Sequence, residues 1–281
     1  MGITTVGCDH CGLLLTNPQP TPEALSSFYR NDYRNIYQNT LSPSQGYIET
    51  LQKDQRANHL VRYLSDQKLL SEGISVLDVG CAEGAVLKSL KLLQPEIELE
   101  GIEPNPEFSH FAETYTGAKI YSDLTQLNNV SYDLIITNHV LEHISEPVGY
   151  IETLAGLLSD NGALYIGVPD AEAYQSLADI HIAHLYHFTR QTLTHLLAKA
   201  GLKLVHIEHH SPPRHPASIR CIAKKGRAAP QTPSTGRKPG WQQVRTIRRT
   251  SWLYFLRRSS PVRRLIKLVQ KLTGTGKEPQ P

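Results

Sequence analysis

Short apolar runs alternate with amphipathic stretches from residue 75 to residue 224. The runs have the length of buried strands, and the stretches repeat apolar residues every three or four positions, which is typical of helices with one buried face. The runs predict strands at 75–79, 98–103, 119–121, 132–137, 163–168, 202–209 and 218–224. The stretches predict helices at 84–93, 106–115, 147–158 and 190–200, the last two with helix-ending glycines at Gly162 and Gly201.

The order of these elements predicts an α/β fold. Strands that alternate with helices form a mostly parallel sheet with helices on its faces. Only residues 210–217 connect the last two strands, so we expect these strands to pair antiparallel. The sequence therefore predicts a seven-stranded, mostly parallel sheet in which the last strand is antiparallel.

The whole chain is predicted to have four segments. Ahead of the core, a small tip holds two cysteines, and helical patterns at 22–33 and 47–70 are expected to cap the sheet. After the core, a stretch rich in Gly, Pro, Ser and Thr indicates a flexible linker, and a basic tail follows it. The segments are the tip and cap at 1–74, the core at 75–224, the linker at 225–240 and the tail at 241–281.

Charge is distributed unevenly along the chain. Residues 1–223 contain 14 Lys and Arg against 25 Asp and Glu, a net charge of −11, whereas residues 224–281 contain 15 Lys and Arg and one acid, a net charge of +14. No stretch approaches the ~18 consecutive apolar residues of a membrane span, and four cysteines are too few for a disulfide scaffold. We therefore expect a cytoplasmic protein whose tail binds a polyanion or an anionic membrane.

The tail has the pattern of a basic amphipathic helix. Positions 252, 255, 259, 262, 266 and 269 share one helical face that is apolar apart from Ser259, and the other face is basic. This pattern is typical of a helix that lies on an anionic membrane, so residues 241–272 are predicted to place the protein at the inner membrane face. Docking on the core or on a second subunit is one alternative. Binding of RNA is the other, and it is disfavoured because the apolar stripe is continuous.

A glycine-containing turn, DVGCAEG at 78–84, follows the first core strand. Glycines allow a ligand to approach the backbone, and the amides at the start of the next helix point into the same space. A dinucleotide would place its pyrophosphate against the carboxylates of Asp78 and Glu83, and Ala82 replaces a glycine of that fingerprint. The charges instead favour a ligand with a cationic end, such as the ammonium and sulfonium of S-adenosylmethionine.

Polar residues also end the next three strands. Glu103 follows the second strand, Asp123 the third and Asn138 the fourth. Because the carboxyl ends of parallel strands meet at one edge of a sheet, these side chains are expected to lie near the glycine turn. A carboxylate at the position of Glu103 can accept hydrogen bonds from both hydroxyls of a ribose.

The segments DVGCAEG, GIEP and DLIITNHVLEHI, in this order and spacing, resemble the class I S-adenosylmethionine-dependent methyltransferases. The resemblance covers residues 75–224 and implies a Rossmann-like sheet and S-adenosyl-L-methionine as cofactor. The cofactor site that it implies consists of Asp78, Gly80 and Gly84 at the methionine end, Glu103 at the ribose and Asp123 at the adenine, with Cys81 and Asn138 beside them.

Histidines are concentrated in two segments that we expect at the same edge of the sheet. His139 and His143 follow the fourth strand, and His181, His184 and His187 lie in DIHIAHLYHF. A histidine can take a proton from an acceptor hydroxyl while the methyl group is transferred in line from the sulfonium. We predict His143 and His184 as catalytic residues, and we expect no metal site because no spacing here matches a standard zinc site.

Two further stretches resemble methyltransferases of sugar, glycan and quinone biosynthesis. HLYHFTRQTLTHLLAKAGLKLV is similar to their C-terminal part, and CDHCGLLLTNPQP is similar to the second half of their zinc-ribbon entry, with Cys8, Cys11 and His10 as its available ligands. Sugar C-methyltransferases of this group have a His-Glu-His triplet at 182–184, where this chain has Ile-Ala-His, and this difference favours O-methylation. The turn NHVL differs from the Asn-Pro-Pro-aromatic turn of enzymes that methylate base nitrogens.

The sequence thus predicts an S-adenosylmethionine-dependent methyltransferase that O-methylates a sugar, glycan or lipid-linked intermediate near the membrane. A quinone or other small-molecule O-methyltransferase is the first alternative, and a more apolar acceptor pocket would favour it. A non-catalytic adaptor that binds the cofactor and uses the basic tail is the second alternative.

Overall fold

A seven-stranded sheet forms the centre of the protein in a computed structural model, which describes residues 4–226 apart from 39, 41, 175–178, 182 and 212–215. The strands are β1 (Thr5–Gly7), β2 (Leu14–Thr16), β3 (Ser75–Val79), β4 (Glu98–Ile102), β5 (Lys119–Tyr121), β6 (Tyr132–Asn138), β7 (Leu158–Pro169), β8 (Tyr186–His187), β9 (Leu202–His210) and β10 (Ser218–Lys225). The helices are α1 (Pro22–Asn31), α2 (Tyr33–Gln38), α3 (Gln45–Thr50), α4 (Lys53–Asp66), α5 (Ala85–Leu93), α6 (Pro106–Thr116), α7 (Pro147–Gly156) and α8 (Arg190–Lys199). The predicted tail at 241–281, and the predicted linker from residue 227 onward, lie outside the described residues.

The strand order in the large sheet is β5-β4-β3-β6-β7-β10-β9. The pairs β5–β4, β4–β3, β3–β6 and β6–β7 are parallel, whereas β10 is antiparallel to both of its neighbours, β7 and β9. The last strand therefore inserts between two strands that precede it in the chain. The predicted seven-stranded, mostly parallel sheet with an antiparallel last strand is confirmed.

Both faces of the sheet are covered, as the apolar runs predict. Leu134 and Ile136 of β6 pack on one face with Leu90 of α5, whereas Ile135 between them packs on the other face with Leu154 of α7. All five side chains are fully buried. Strands buried on both faces read as continuous apolar runs, because successive residues point to opposite faces.

Strand β7 is longer than predicted. It begins at Leu158 and includes Gly162, which the sequence places at the end of a helix, and α7 ends at Gly156. At Gly162 a Cβ would lie only 2.8 Å from the carbonyl oxygen of Tyr132, so a glycine is required by close packing of two strands. The prediction of a helix over 147–158, closed near Gly162, is wrong in its C-terminal part for this reason.

The N-terminal segment forms four helices and a second, three-stranded sheet. Strands β1 and β2 are a hairpin, with Cys8 and Cys11 as free thiols in its loop, and β2 pairs antiparallel with β8. The first cap pattern, 22–33, divides into α1 and α2, and the second, 47–70, into α3 and α4. Within the described residues, no helix is both long enough and apolar enough to cross a bilayer.

Candidate active site

A cavity of about 520 Å³ lies where the carboxyl ends of β3, β4 and β6 meet the N-terminal helices. Four of the nine predicted site residues line it: Gly80, Glu103, Asn138 and His143. Further lining residues come from the cap, from the loops after β3 and β6, and from β9 and β10, among them Tyr29, Arg34, Lys53, Arg56, His59, Glu83, His139, His210 and Arg220. The position agrees with the rule that open α/β sheets bind ligands at the carboxyl edge of their strands.

Two glycines shape the turn between β3 and α5. Gly80 has φ of +80°, and a Cβ there would lie 2.4 Å from Cγ2 of Val140. The amides of Gly80 and Cys81 both donate to the carbonyl oxygen of Ile102, which fixes the turn to the neighbouring strand. Only glycine adopts this backbone conformation without strain and leaves room for the approach.

Gly84 and Cys81 contribute to packing rather than to the cavity wall. Gly84 has φ of +82° and precedes α5, and a Cβ there would meet Thr116 and Ala112 of α6 at 2.8 Å and 3.2 Å. The side chain of Cys81 is buried among apolar residues, where burial raises the pKa of its thiol. These two predicted residues therefore stabilise the turn by packing and do not line the cavity.

Three carboxylates are buried at this edge of the sheet. The side chain of Glu103 accepts a hydrogen bond from Arg34 at 2.8 Å and from the backbone amide of Asn105 at 3.0 Å. Glu83 pairs with Lys53 at 3.3 Å. Burial raises the pKa of Asp78 to about 7, and the charges of Glu83 and Glu103 act in the same direction. Three acids and two bases leave this group net negative when all of them are charged.

Asn138 and Asp123 differ in where their side chains lie. Oδ1 of Asn138 covers Gly167 on β7, so closely that a Cβ there would be 2.1 Å away, and Asn138 lines the cavity. Asp123 is exposed, and its carboxylate accepts hydrogen bonds from the amide and hydroxyl of Thr125 in the turn after β5. Those hydrogen bonds lower the pKa of Asp123, and the side chain is not part of the cavity wall.

The two histidine segments converge as predicted, although only His143 of the predicted pair lines the cavity. The rings of His143 and His184 are 4.9 Å apart between centroids. Nδ1 of His143 lies 2.7 Å from the hydroxyl of Tyr29 and 3.0 Å from the carbonyl oxygen of Ala183. Burial lowers the pKa of both imidazoles, so both rings are neutral at pH 7.

Sequence reasoning missed the two cations that the N-terminal cap brings to the buried carboxylates. Arg34 is on α2 and Lys53 on α4, and both are far from the core motifs in sequence. It also missed Glu142, a carboxylate that is buried beside three histidines and is 1% exposed. The pattern LEH shows an acid next to a histidine, but nothing in it indicates that the acid points into the protein.

The family model described as a methyltransferase domain matches residues 47–207, which is more than half of the chain. The chain belongs to this family. The expectation of a methyltransferase is thereby confirmed. No curated protein sequence matches the methyltransferase significantly.

Solved structures with a similar fold are also methyltransferases. The magnesium protoporphyrin IX methyltransferase of Synechocystis PCC 6803 has 18% identity, a TM-score of 0.54, and coverage of 73% of this chain and 100% of that chain. The 1,6-didemethyltoxoflavin N1-methyltransferase of Burkholderia thailandensis has 17% identity, a TM-score of 0.57, and coverage of 79% and 99%. The plantazolicin methyltransferase BpumL has 18% identity, a TM-score of 0.55, and coverage of 73% and 95%. At these identities the likeness shows a shared fold.

The raised pKa of Asp78 predicts how the stability of the ligand-free methyltransferase depends on pH. The folded protein holds this proton up to about pH 7, whereas the unfolded chain releases it near about pH 4. Between these values the folded state binds more protons, so this residue makes the free energy of unfolding fall as the pH rises. We expect Asp78→Asn to raise the free energy of unfolding at about pH 8 by up to about 4 kcal/mol in urea denaturation.

Asp133→Asn is the matched control with the opposite sign. Hydrogen bonds from Ser159 and Ser75 lower the pKa of Asp133, so its charge stabilises the folded state above about pH 4, and this contribution is lost as the pH falls. The control should therefore lower stability near neutral pH. Equal pH slopes in the wild type and in Asp78→Asn would contradict the assignment of a proton to Asp78.

Proposed function

We propose that the methyltransferase transfers the methyl group of S-adenosylmethionine to a hydroxyl of a sugar that carries a phosphate group, such as a glycan precursor linked to a nucleotide or a lipid. The observation that carries this proposal is the presence of two groups of opposite charge in one cavity. Buried carboxylates form the first group, and basic side chains form the second.

The carboxylate group suits S-adenosylmethionine, which has a sulfonium, an ammonium and no phosphate. Asp78 and Glu83 supply negative charge near the glycine turn, and Glu103 keeps unused lone pairs for a ribose after accepting from Arg34 and Asn105. A pyrophosphate would meet three buried carboxylates and would be repelled. The bound S-adenosylhomocysteine in the similar Synechocystis and BpumL enzymes supports this assignment.

The basic group suits a phosphate on the acceptor. Arg56, His59, His210 and Arg220 all line the cavity. His59 and His210 are stacked with ring centroids 5.2 Å apart, and the charges of Arg220 and His59 add to burial in lowering the pKa of His210 to about 4. An anionic ligand would relieve this repulsion. Glu208 compensates Arg220 at 2.8 Å, but no described ion pair compensates Arg56, and an apolar quinone ring would add no counter-charge, so we favour a sugar phosphate over a quinone.

His143 and His184 are proposed to serve the acceptor hydroxyl. Nδ1 of His143 has the carbonyl oxygen of Ala183 as an acceptor, so the proton belongs on Nδ1 and Nε2 carries the lone pair. A neutral ring at the cavity wall can take up the proton that the hydroxyl loses when its oxygen forms the bond to the methyl carbon and the carbon–sulfur bond breaks. His184 packs against this ring and acts as a positioning residue.

The basic tail is proposed to hold the methyltransferase at the inner, anionic face of a membrane. Residues 224–281 carry 15 Lys and Arg and one acid. Each basic side chain near an anionic surface contributes about 1 kcal/mol, and an apolar helical face adds insertion energy. A lipid-linked acceptor is found at the same surface.

The first prediction is a pattern of ligand binding that calorimetric titration measures directly. The wild type should bind S-adenosylmethionine and S-adenosylhomocysteine with micromolar affinity and should not bind NAD. Glu103→Gln should weaken binding of both about 10- to 100-fold, because charge-assisted hydrogen bonds to the ribose are lost. Binding of NAD in preference to S-adenosylmethionine would contradict the charge argument.

Glu100→Gln is the matched control on the same strand. Glu100 accepts hydrogen bonds from the hydroxyls of Tyr121 and Tyr132, and it is not part of the cavity wall, so the affinities should not change. The double variant Glu103→Gln/Arg34→Gln also removes the cation that the single variant leaves buried without its partner. Weak binding in both variants indicates lost ligand contacts, whereas weak binding in the single variant alone indicates impaired folding. Unchanged affinity in Glu103→Gln would assign the ribose to another residue.

The second prediction concerns turnover, measured as release of S-adenosylhomocysteine with a panel of nucleotide-linked sugars, lipid-linked sugars and hydroquinones. His143→Ala should lower turnover about 100-fold or more while the affinity for S-adenosylhomocysteine is retained. In the wild type the acidic limb of the pH profile should lie below the usual histidine range, since burial lowers the pKa of His143.

His195→Ala, on the surface helix α8, is the control and should leave turnover unchanged. Turnover with hydroquinones alone would support the quinone alternative. Cofactor binding with no turnover on any acceptor would support the adaptor.

The third prediction tests the tail in the full-length chain. Replacing Arg257, Arg258, Arg263, Arg264, Lys267 and Lys271 by Gln should abolish co-sedimentation with phosphatidylglycerol vesicles, because the electrostatic part of the attraction is removed. Zwitterionic vesicles serve as the control and should retain neither protein. Full retention of the neutralised variant on anionic vesicles would exclude this anchoring mechanism.

A further inference from the structure

Glu142 is a buried carboxylate for which the described residues provide no hydrogen bond. Its residue is 1% exposed, and neither Oε1 nor Oε2 has a hydrogen-bond partner among the described side chains and backbone. A buried carboxylate in this state is costly, and proteins usually satisfy such a group with donors, a counter-charge or a metal ion. Burial correspondingly raises the pKa of Glu142 to about 7.

Imidazole nitrogens surround Oε1 of Glu142, but none of them makes a hydrogen bond with it. Nε2 of His143 and Nε2 of His184 are each 3.9 Å away, and Nδ1 of His139 is 3.3 Å away. Because Nδ1 of His143 faces the carbonyl oxygen of Ala183, its Nε2 presents a lone pair to the carboxylate. Two lone pairs that face each other across a gap indicate that an electrophile belongs between them.

We infer that Glu142, His143 and His184 bind a divalent first-row metal ion of the zinc class at the wall of the cavity. Two imidazole nitrogens and one carboxylate oxygen are the donor set of open zinc sites, in which three protein ligands leave a position for another molecule. The ligand atoms of the three residues all lie within 4.8 Å of one another.

The distances are compatible with one shared ion after small side-chain movements. Zinc binds nitrogen and carboxylate oxygen at about 2.0 to 2.2 Å, so two ligands of one ion are at most about 4.2 Å apart. The separations of 3.9 Å from the carboxylate to each Nε2 are within this limit. The contact of Nδ1 of His143 with the carbonyl oxygen of Ala183 is the kind of outer contact that orients a metal-binding histidine.

In a second cluster of acidic and histidine side chains, the charges are compensated by ion pairs within the protein. Asp170, Glu172 and His209 also lie within 4.8 Å of one another. Nδ1 of His209 is 2.6 Å from Asp170, and Glu172 lies 3.6 Å from Arg190, so these charges already compensate one another. Glu142 has no Lys or Arg partner among the described ion pairs, and this difference favours a metal ion at Glu142 alone.

The inference deepens the proposed function, on which its catalytic meaning rests, but metal binding itself does not depend on methyl transfer. His143 lines the cavity, so an ion bound to it borders the space proposed for the acceptor hydroxyl. With the ion bound, Nε2 of His143 would be a ligand, the ion would lower the pKa of the hydroxyl, and the proton would pass to water instead of to the ring.

The test measures metal content and affinity in the full-length chain, in a Cys8→Ser/Cys11→Ser background that removes thiol ligands. The protein is stripped with a chelator and titrated with Zn²⁺ by calorimetry and with Co²⁺ by visible absorption. We expect about one ion per chain and a Co²⁺ spectrum without a thiolate charge-transfer band. Glu142→Gln should weaken Zn²⁺ binding by more than about 100-fold, because loss of a ligand should exceed the 10- to 100-fold cost of losing an outer contact.

His209→Ala is the matched control, because it disrupts the other cluster and should leave the affinity unchanged. Glu142→Gln removes an unsatisfied charge and keeps the shape of the side chain. The melting temperature of the metal-free variant should therefore be no lower than that of the metal-free wild type. Absence of Zn²⁺ binding in the Cys8→Ser/Cys11→Ser background, equal affinity in Glu142→Gln, or loss of the ion in His209→Ala would each overturn the inference. Intact calorimetric binding of S-adenosylhomocysteine in Glu142→Gln separates failure of this inference from failure of the proposed function.

Discussion

Burial of negative charge at the carboxyl edge of the sheet is the constraint on which the site depends. Asp78, Glu83 and Glu103 are each 3% exposed, so every one of these carboxylates requires compensation from inside the protein or from a ligand. The N-terminal cap supplies two cations, Arg34 and Lys53, and these ion pairs fix the cap over the cavity. The cap and these carboxylates are therefore one electrostatic unit, in which three acids face two cations.

The N-terminal hairpin and α1 have a structural role at the histidines around Glu142. Strand β2 pairs with β8, and the hydroxyl of Thr16 donates to the carbonyl oxygen of His184. The hydroxyl of Tyr29 in α1 donates to the carbonyl oxygen of Ala183 and contacts the ring of His143. The first thirty residues thus help to position His143 and His184 by direct contacts. These contacts do not involve Cys8 or Cys11.

The fold could be predicted from the sequence because its strands are buried on both faces and its glycine turn has few conformations. The period of the apolar residues, the residues in the turns and the order of strands and helices all predict the same fold. The exception, β7, follows from Asn161 and Gly162, which are typical of loops and helix ends but here continue a strand against Tyr132.

The site could be predicted mainly where a residue ends a strand or follows it directly. Gly80 and Glu103 follow β3 and β4, and Asn138 ends β6. His143 lies five residues further on and also lines the cavity, whereas the turn after β5 directs Asp123 to solvent. Two further features depend on contacts between segments that are far apart in sequence. They are the ion pairs from the cap and the lack of hydrogen bonds at the Glu142 carboxylate. Local patterns carry no information about such contacts, and this is why the histidine spacing did not indicate that Glu142, His143 and His184 lie together.

The direction of β10 has a consequence for where the chain leaves the core. Ser218 starts this strand beside Pro169, at the edge that holds the cavity, and the strand ends with Lys225 next to Leu158, at the opposite edge. The chain therefore departs from the side remote from the catalytic opening. A binding partner of the segment that follows residue 226 is thus joined to the enzyme from the edge of the sheet that does not hold the cavity.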